Sequence, residues 1–190
     1  MSPLASHIAS RTAISGTHLE LVLNKFDKKH YAKKEQLLHA GSYAKEVYFI
    51  LKGCVRTYIH DLNGVEHNIT FSMENWWFGD LQSFISRTPA SFSIQALEET
   101  TVLSITKNHW DVLHQDVPAF LGYTRNLFRN TMFAHENRIV QNLSFTAEER
   151  YQYFLKNHPE LAQRIPQKQV ASYLGITPEF LSMLRHKLKN

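Results

Sequence analysis

Between Ile165 and Lys189 the sequence reads I-P-Q-K-Q-V-A-S-Y-L-G-I-T-P-E-F-L-S-M-L-R-H-K-L-K, and its two prolines and one glycine leave the backbone few paths. Pro166 suits the opening of a helix, where a missing N–H costs nothing, and Val170, Ala171 and Leu174 repeat at helical spacing behind it. Gly175 accepts the left-handed backbone that stops such a helix. A second helix then opens on Thr177 as N-cap, with Pro178 at its first position and Glu179 where the dipole favours an anion. The spacing puts Phe180, Leu181, Leu184 and Leu188 on an apolar stripe. Glu179, Ser182, Met183 and His186 fall on the opposite face, with Arg185 and Lys189 at the flank. Two short helices around a glycine turn, the second with a polar outer face, meet the requirements of a helix-turn-helix reader of the major groove. A helical hairpin that merely closes a domain shares the pattern without the function.

Charge separates the two readings. From Arg164 onward the chain carries five Lys and Arg against the single acid Glu179, whereas the whole chain has a net charge of only +4. A basic tail on a near-balanced body fits a polyanionic partner. Cys54 is the sole cysteine, so neither a disulfide framework nor a cysteine metal cluster is available. No apolar run approaches the ~20 residues that span a bilayer, and the N-terminus lacks a signal-peptide core. The expectation is a cytoplasmic protein without a membrane partner. Its 190 residues suffice for one good core and a small second domain.

Upstream of the tail the hydrophobic period changes twice. Ser15 to Phe26 reads as a short amphipathic helix through Leu19, Val22, Leu23 and Phe26. From Lys29 to Thr106 the period is two. Val47, Phe49 and Leu51 alternate with Tyr48, Ile50 and Lys52, and Val55, Thr57 and Ile59 follow Gly53. Asp61-Leu62-Asn63-Gly64 signals a hairpin, after which Ile69 and Phe71 resume the alternation. A short irregular or helical break follows Trp76-Trp77-Phe78, and Phe92, Ile94, Ala96, Val102, Leu103 and Ile105 continue the strands. Some eight short strands at this spacing predict a sandwich or jelly roll. Pro118 to Leu143 then reads as one long helix. One apolar row runs through Phe120, Tyr123, Leu127, Met132 and Ile139, and a sister row through Leu121, Phe128 and His135, too wide a surface for a solitary exposed helix. Thr146-Ala147-Glu148-Glu149 forms a capping box that starts a further helix burying Ala147, Tyr151, Phe154 and Leu155, the first of three in a terminal domain.

The run Q-V-A-S-Y-L-G-I-T-P-E-F-L-S closely resembles the helix-turn-helix of the Crp/Fnr family of bacterial transcription regulators. Leu37-Leu38-His39-Ala40-Gly41, the Val47-to-Gly53 run and Phe78-Gly79-Asp80-Leu81 resemble the family's effector domain, a double-stranded β-helix of the cyclic-nucleotide-binding type. The resemblance implies an α+β chain with a β-roll sensor over residues 1–116. A dimerisation helix over 117–144 and a helix-turn-helix domain over 145–190 complete it. The β-hairpin wing usual after the second reading helix is not expected, and without it each half-site should bind weakly. Phe120, Leu127, Phe128, Thr131 and His135 are the implied dimer seam. Glu179, Ser182, Met183 and His186 match positions that face base edges, and Gln167, Lys168, Thr177 and Arg185 should touch phosphates. Implied partners are double-stranded DNA, a second copy of the chain, RNA polymerase, and a small-molecule effector that the sequence does not identify. No cofactor is expected.

The effector pocket of the resembled family maps onto Phe78, Gly79, Asp80, Leu81, Ala90 and Ser91, and departs from the pattern twice. The acid of the Gly-Glu-Leu turn is Asp80, one methylene shorter. Ala90 stands where an arginine clamps the cyclic phosphate. A buried phosphate without a guanidinium is poorly compensated, so tight binding of cyclic AMP is not expected. Eleven histidines are scattered without metal-binding spacing, His60 and His67 flanking the hairpin among them. No nucleophile elbow, P-loop or paired carboxylates appear, so no catalytic or metal site is expected. A sensing or protein-interaction module with a degenerate tail, and a cupin-like enzyme on a similar roll, remain as rivals. The second needs a metal cluster that the sequence lacks.

Overall fold

The computed structural model describes residues 2–188, so Lys189 lies outside the described residues. Eight strands form the predicted roll: β1 (Asp27–Tyr31), β2 (Gln36–Leu38), β3 (Glu46–Lys52), β4 (Val55–His60), β5 (Glu66–Ser72), β6 (Trp77–Phe78), β7 (Ser93–Ala96) and β8 (Thr100–Thr106). They pair antiparallel into two sheets of order β1-β8-β3-β6 and β2-β7-β4-β5. Tyr48, Ile50, Val55, Phe78, Ile94 and Val102 fill the space between them.

Around the strands lie nine helices among the described residues: α1 (Pro3–Ala9), α2 (Gly16–Leu23), α3 (Leu81–Ser86), α4 (Lys107–Asp116), α5 (Pro118–Ser144), α6 (Ala147–Asn157), α7 (Pro159–Arg164), α8 (Gln167–Leu174) and α9 (Pro178–Lys187). Along β3, Val47, Tyr48, Phe49 and Ile50 are all buried, so simple alternation of inside and outside fails there. The reason is a second core. Val47, Phe49 and Ile105 turn away from the inter-sheet layer and meet Leu4 and Ile8 of α1, Val22 of α2, Trp110 and Leu113 of α4, and Phe120 and Tyr123 of α5. Each large side chain so buried contributes about 1.5–3 kcal/mol. Within this layer the Trp77 indole N–H donates to Tyr123 Oη (2.8 Å). The one phenol proton is then left for His7 Nδ1, 2.6 Å away, which ties α1 to α5 and requires His7 neutral. Burial accordingly holds the His7 pKa down at about 4.

A third core joins the roll to the terminal domain. Cys54 and Phe71 pack with Tyr151, Phe154, Leu161, Ile165, Val170, Ala171, Leu174, Leu181 and Leu184 of α6 to α9. Strand β5 is the edge of its sheet, and its free backbone groups are taken by side chains from outside the sheet. The Asn68 N–H donates to Ser172 Oγ (3.0 Å), Ser172 Oγ donates to the Glu66 carbonyl (3.1 Å), and Arg138 Nη2 donates to the Asn68 carbonyl (3.2 Å).

The long helix keeps its predicted bounds to within a residue, but only Phe120, Tyr123 and Thr124 are buried on it. The capping box at Thr146 and Glu149 is present in full. The terminal domain has four helices, not three, because Pro159 opens the short α7 immediately after α6.

Candidate nucleic-acid interface and effector cavity

The α8–α9 pair is built as its turn residues dictate. Gly175 takes φ +68° at the end of α8 and releases the chain toward Thr177. The Thr177 hydroxyl accepts the Phe180 N–H (3.2 Å), Pro178 occupies the first turn, and Glu179 lies beside the helix N-terminus. Leu181 and Leu184 anchor α9 in the core, which turns Glu179, Ser182, Met183 and His186 outward, all exposed. Phe180 and Leu188, predicted on the buried stripe, are instead exposed at its edges. One residue along a helix turns it by about 100°, so a stripe anchored by Leu181 and Leu184 leaves Phe180 outside.

The cations divide. Lys168 is exposed and Arg185 half-exposed at the flank of α9. Arg164 is committed to the roll, donating to Glu74 Oε2 (2.7 Å) and Oε1 (3.0 Å) and also bonding Glu98. Burial on its own would raise the Glu74 carboxyl, yet Arg164 and the Gly53 N–H hold its pKa at about 2. Lys187 pairs with Glu148 (2.6 Å). Gln167 is half-buried, with Oε1 enclosed and without a partner among the described residues, so its nitrogen end is the one suited to a phosphate. Thr177 is exposed; its oxygen accepts in the cap, which leaves its O–H to donate.

In the roll, the residues predicted to form an effector pocket do come together, but as a closed tie. Asp80 is buried; Oδ1 accepts the Ser83 N–H that starts α3, and Oδ2 accepts the Ser91 N–H, both at 2.9 Å. Ala90 is buried as well, its N–H on the Ser42 carbonyl (2.7 Å) and its carbonyl on the Gly41 N–H (2.8 Å). Phe78 stacks on Tyr48 with ring centroids 5.0 Å apart, and Leu81 packs on the helix-covered core. Gly79 has φ +150°, and a Cβ there would meet Val47 Cγ1 at 3.0 Å. The open space lies beside this tie. A cavity of about 240 Å³ is walled by Tyr31, Tyr43, Tyr48, Leu37, Leu38 and Glu46, and Asp80 is the only residue of the predicted pocket that borders it. The aromatic walls could have been suspected from Tyr31, Tyr43 and Tyr48, but nothing in their spacing shows that they converge.

On α5 the predicted seam is split. Phe120 is 0% exposed inside its own chain, which excludes it from an intermolecular contact. Leu127 and Phe128 are half-buried against the same core, Phe128 stacked on Trp110 at 6.0 Å. Thr131 and His135 are exposed, and so are the apolar side chains of Leu121, Met132, Phe133, Ile139, Val140 and Leu143. The first turns of α5 pack their apolar side chains on the roll, and beyond Phe128 Arg138 ties the helix back to it at the Asn68 carbonyl.

The His60–His67 pair does not meet across the hairpin. His67 bonds Asp61 (3.0 Å) and His60 approaches Glu66 (3.8 Å).

Fold and sites together define a β-roll of the cyclic-nucleotide-binding type joined by a long helix to a helix-turn-helix domain. Residues 28–116 match the family described as the cyclic nucleotide-binding domain. The fumarate and nitrate reduction regulatory protein of Vibrio cholerae is 28% identical over 174 residues, 83% of this chain and 66% of that protein. The cAMP-activated global transcriptional regulator CRP of Pasteurella multocida is 28% identical over 128 residues, 67% of this chain and 60% of that protein. The chain thus spans less than two thirds of the length of these curated relatives. FixK2 from Bradyrhizobium japonicum shares the fold with a TM-score of 0.76 at 20% identity, covering 86% of this chain and 84% of that one. The chain is similar to regulators of the Crp/Fnr type. Among the described residues no helix is long and apolar enough to cross a membrane.

Proposed function

We propose that this chain is a homodimeric, DNA-binding transcription regulator that does not respond to cyclic AMP. The observation that carries the reading is the outer face of α9: Glu179, Ser182, Met183 and His186 are all exposed on a helix whose opposite side is anchored by Leu181 and Leu184. A helix so presented fits the major groove, where Glu179 accepts from a cytosine N4–H and Met183 lies against a thymine methyl. Lys168 and Arg185 supply phosphate contacts, assisted by Thr177 and the nitrogen end of Gln167. Dimerisation through the exposed part of α5 pairs two readers on two half-sites.

The effector side follows from Asp80 and Ala90. Both oxygens of Asp80 are engaged by backbone N–H groups, which holds the carboxylate in its loop and weakens it as an acceptor for a ribose hydroxyl, and Ala90 offers no charge to a cyclic phosphate. Titration with cyclic AMP should show no binding tighter than roughly millimolar. Selection of bound duplexes from random DNA tests the reader: enrichment of a two-fold-related motif with half-sites about one helical turn apart is expected. Failure to enrich any motif at low salt would overturn the regulator reading.

A further inference from the structure

The outer face of the second sheet carries a row of polar side chains that runs from the cavity strand to the reader. Gln95 Nε2 on β7 donates to the Lys34 carbonyl just before β2 (3.0 Å). Its Oε1 accepts from Arg56 Nε on β4 (2.9 Å). Arg56 Nη1 donates to Gln169 Oε1 on α8 (3.2 Å), and that oxygen also accepts from Asn68 Nδ2 on β5 (2.6 Å). A second arm starts on β2, where Gln36 Nε2 donates to Tyr58 Oη (2.6 Å), and the Tyr58 ring lies 4.0 Å from the Arg56 guanidinium. The second arm begins at Gln36, beside the Leu37 and Leu38 that wall the cavity, and the first at Lys34 in the turn that leads into the same strand. Both converge on Arg56, only 5% exposed, whose Nη1 also bonds Glu66 Oε2 (2.5 Å).

The strand order β2-β7-β4-β5 places these links on successive strands, so they form one connected network. A buried guanidinium needs every donor satisfied, and its fork geometry passes any displacement of one partner to the others. The network is also incompletely satisfied at both ends. Gln36 Oε1 and Asn68 Oδ1 are buried without a protein partner among the described residues. Under that condition a second arrangement of the same side chains can compete with the first.

We propose that Arg56 couples the cavity to the DNA-reading helices, so that a shift of β2 resets the seat of α8 on β5. Arg56, Gln95 and Gln169 are then positioning residues for DNA reading, acting through α8 and touching neither DNA nor effector. The inference rests on the reading of α8 and α9 as the DNA-contacting pair. Gln95 is the decisive position, because it bonds neither α8 nor any residue assigned to DNA.

Hydrogen exchange on DNA-free protein reads the coupling directly, with duplex affinity as the second measurement. Gln95→Ala should speed exchange of residues 167–174 and of the Asn68 amide about tenfold, the scale of one hydrogen bond to a charged group, leaving β3 and β8 unchanged. Binding of the selected duplex should weaken about fivefold. Gln95→Glu restores an acceptor for Arg56 and should return both values to wild type. Gln169→Ala, approaching from the other end, should give the same pattern, and the double variant should be no worse than the larger single change. Unchanged exchange in residues 167–174 for Gln95→Ala, or strictly additive effects in the double variant, would overturn the proposal. If wild type enriches no duplex, the functional reading fails while exchange, measured without DNA, still decides the coupling.

Discussion

Asp80 illustrates how far one residue's role can move when its partners are known. In sequence it reads as a shortened ligand acid; in the fold it caps α3 through Ser83 and pins the following loop through Ser91. Asp80→Ala would leave two N–H groups without acceptors, one of them in a buried cap, and should cost about 2–4 kcal/mol by denaturant unfolding. Asp80→Asn keeps one acceptor and should cost less. Glu74 makes a residue-scale prediction of its own. Its carboxyl usually titrates at 4.5 but is held at about 2 in the fold. Its pairing with Arg164 is therefore fully present above the unfolded value and is lost as pH falls through the folded one. Glu74→Gln should flatten the acid limb of the stability curve between about pH 4.5 and 2, with little effect on its slope near neutrality.

Among the elements, α5 separates what periodicity can reveal from what it cannot. Its bounds follow from Pro118 and the repeating apolar positions, and these needed no tertiary information. The assignment of its faces did. Phe120, Leu127 and Phe128 turn toward Trp110 and the roll, whereas Met132, Ile139 and Val140 are exposed on a stretch tied to the roll through the polar Arg138. A charge at Phe128 should therefore disturb the chain's own core, while Met132→Glu or Ile139→Asp should convert a dimer to a folded monomer in sedimentation experiments. A monomeric wild type at micromolar concentration would remove the dimer model. Strands β3, β4, β5, β7 and β8 were legible because each carries alternating or buried apolar residues near turn signals, whereas β1, Asp27-Lys28-Lys29-His30-Tyr31, buries none of its side chains and gives no such signal. Helices α1, α4 and α7 were not legible either, since each is short and shows one to three core positions, as in Trp110 and Leu113 of α4 or Leu161 of α7. The outward face of α9 was legible because Gly175, Thr177 and Pro178 set its phase locally. The cavity beside Asp80 was not, because its walls come from distant parts of the chain.

At the scale of the molecule, the reader sits on the roll through an apolar centre at Cys54 and Phe71, flanked by polar links on both sides. Arg164 and Lys187 are spent on intramolecular acids, so under the proposed function the electrostatic share of DNA binding would fall mainly to Lys168 and Arg185. Lys168→Ala or Arg185→Ala should weaken binding to all sequences and reduce the salt slope by about one unit each. Glu179→Ala should instead relax the choice of base at one position, costing about 1–3 kcal/mol on the preferred site. An unchanged selected motif for Glu179→Ala, with an altered one for the two cation variants, would reverse the assignment of the helix faces. The arrangement on β5 carries a further consequence. Ser172 and Arg138, both from beyond the roll, occupy the hydrogen-bonding groups along its outer margin. A roll cut free after Phe128, which keeps the Phe120 and Tyr123 that complete its core, would present that margin bare, a template on which another chain can add a strand. The isolated sensor should therefore self-associate and precipitate on concentration where the whole chain stays dispersed, and a lysine placed at Asn68 should restore its solubility.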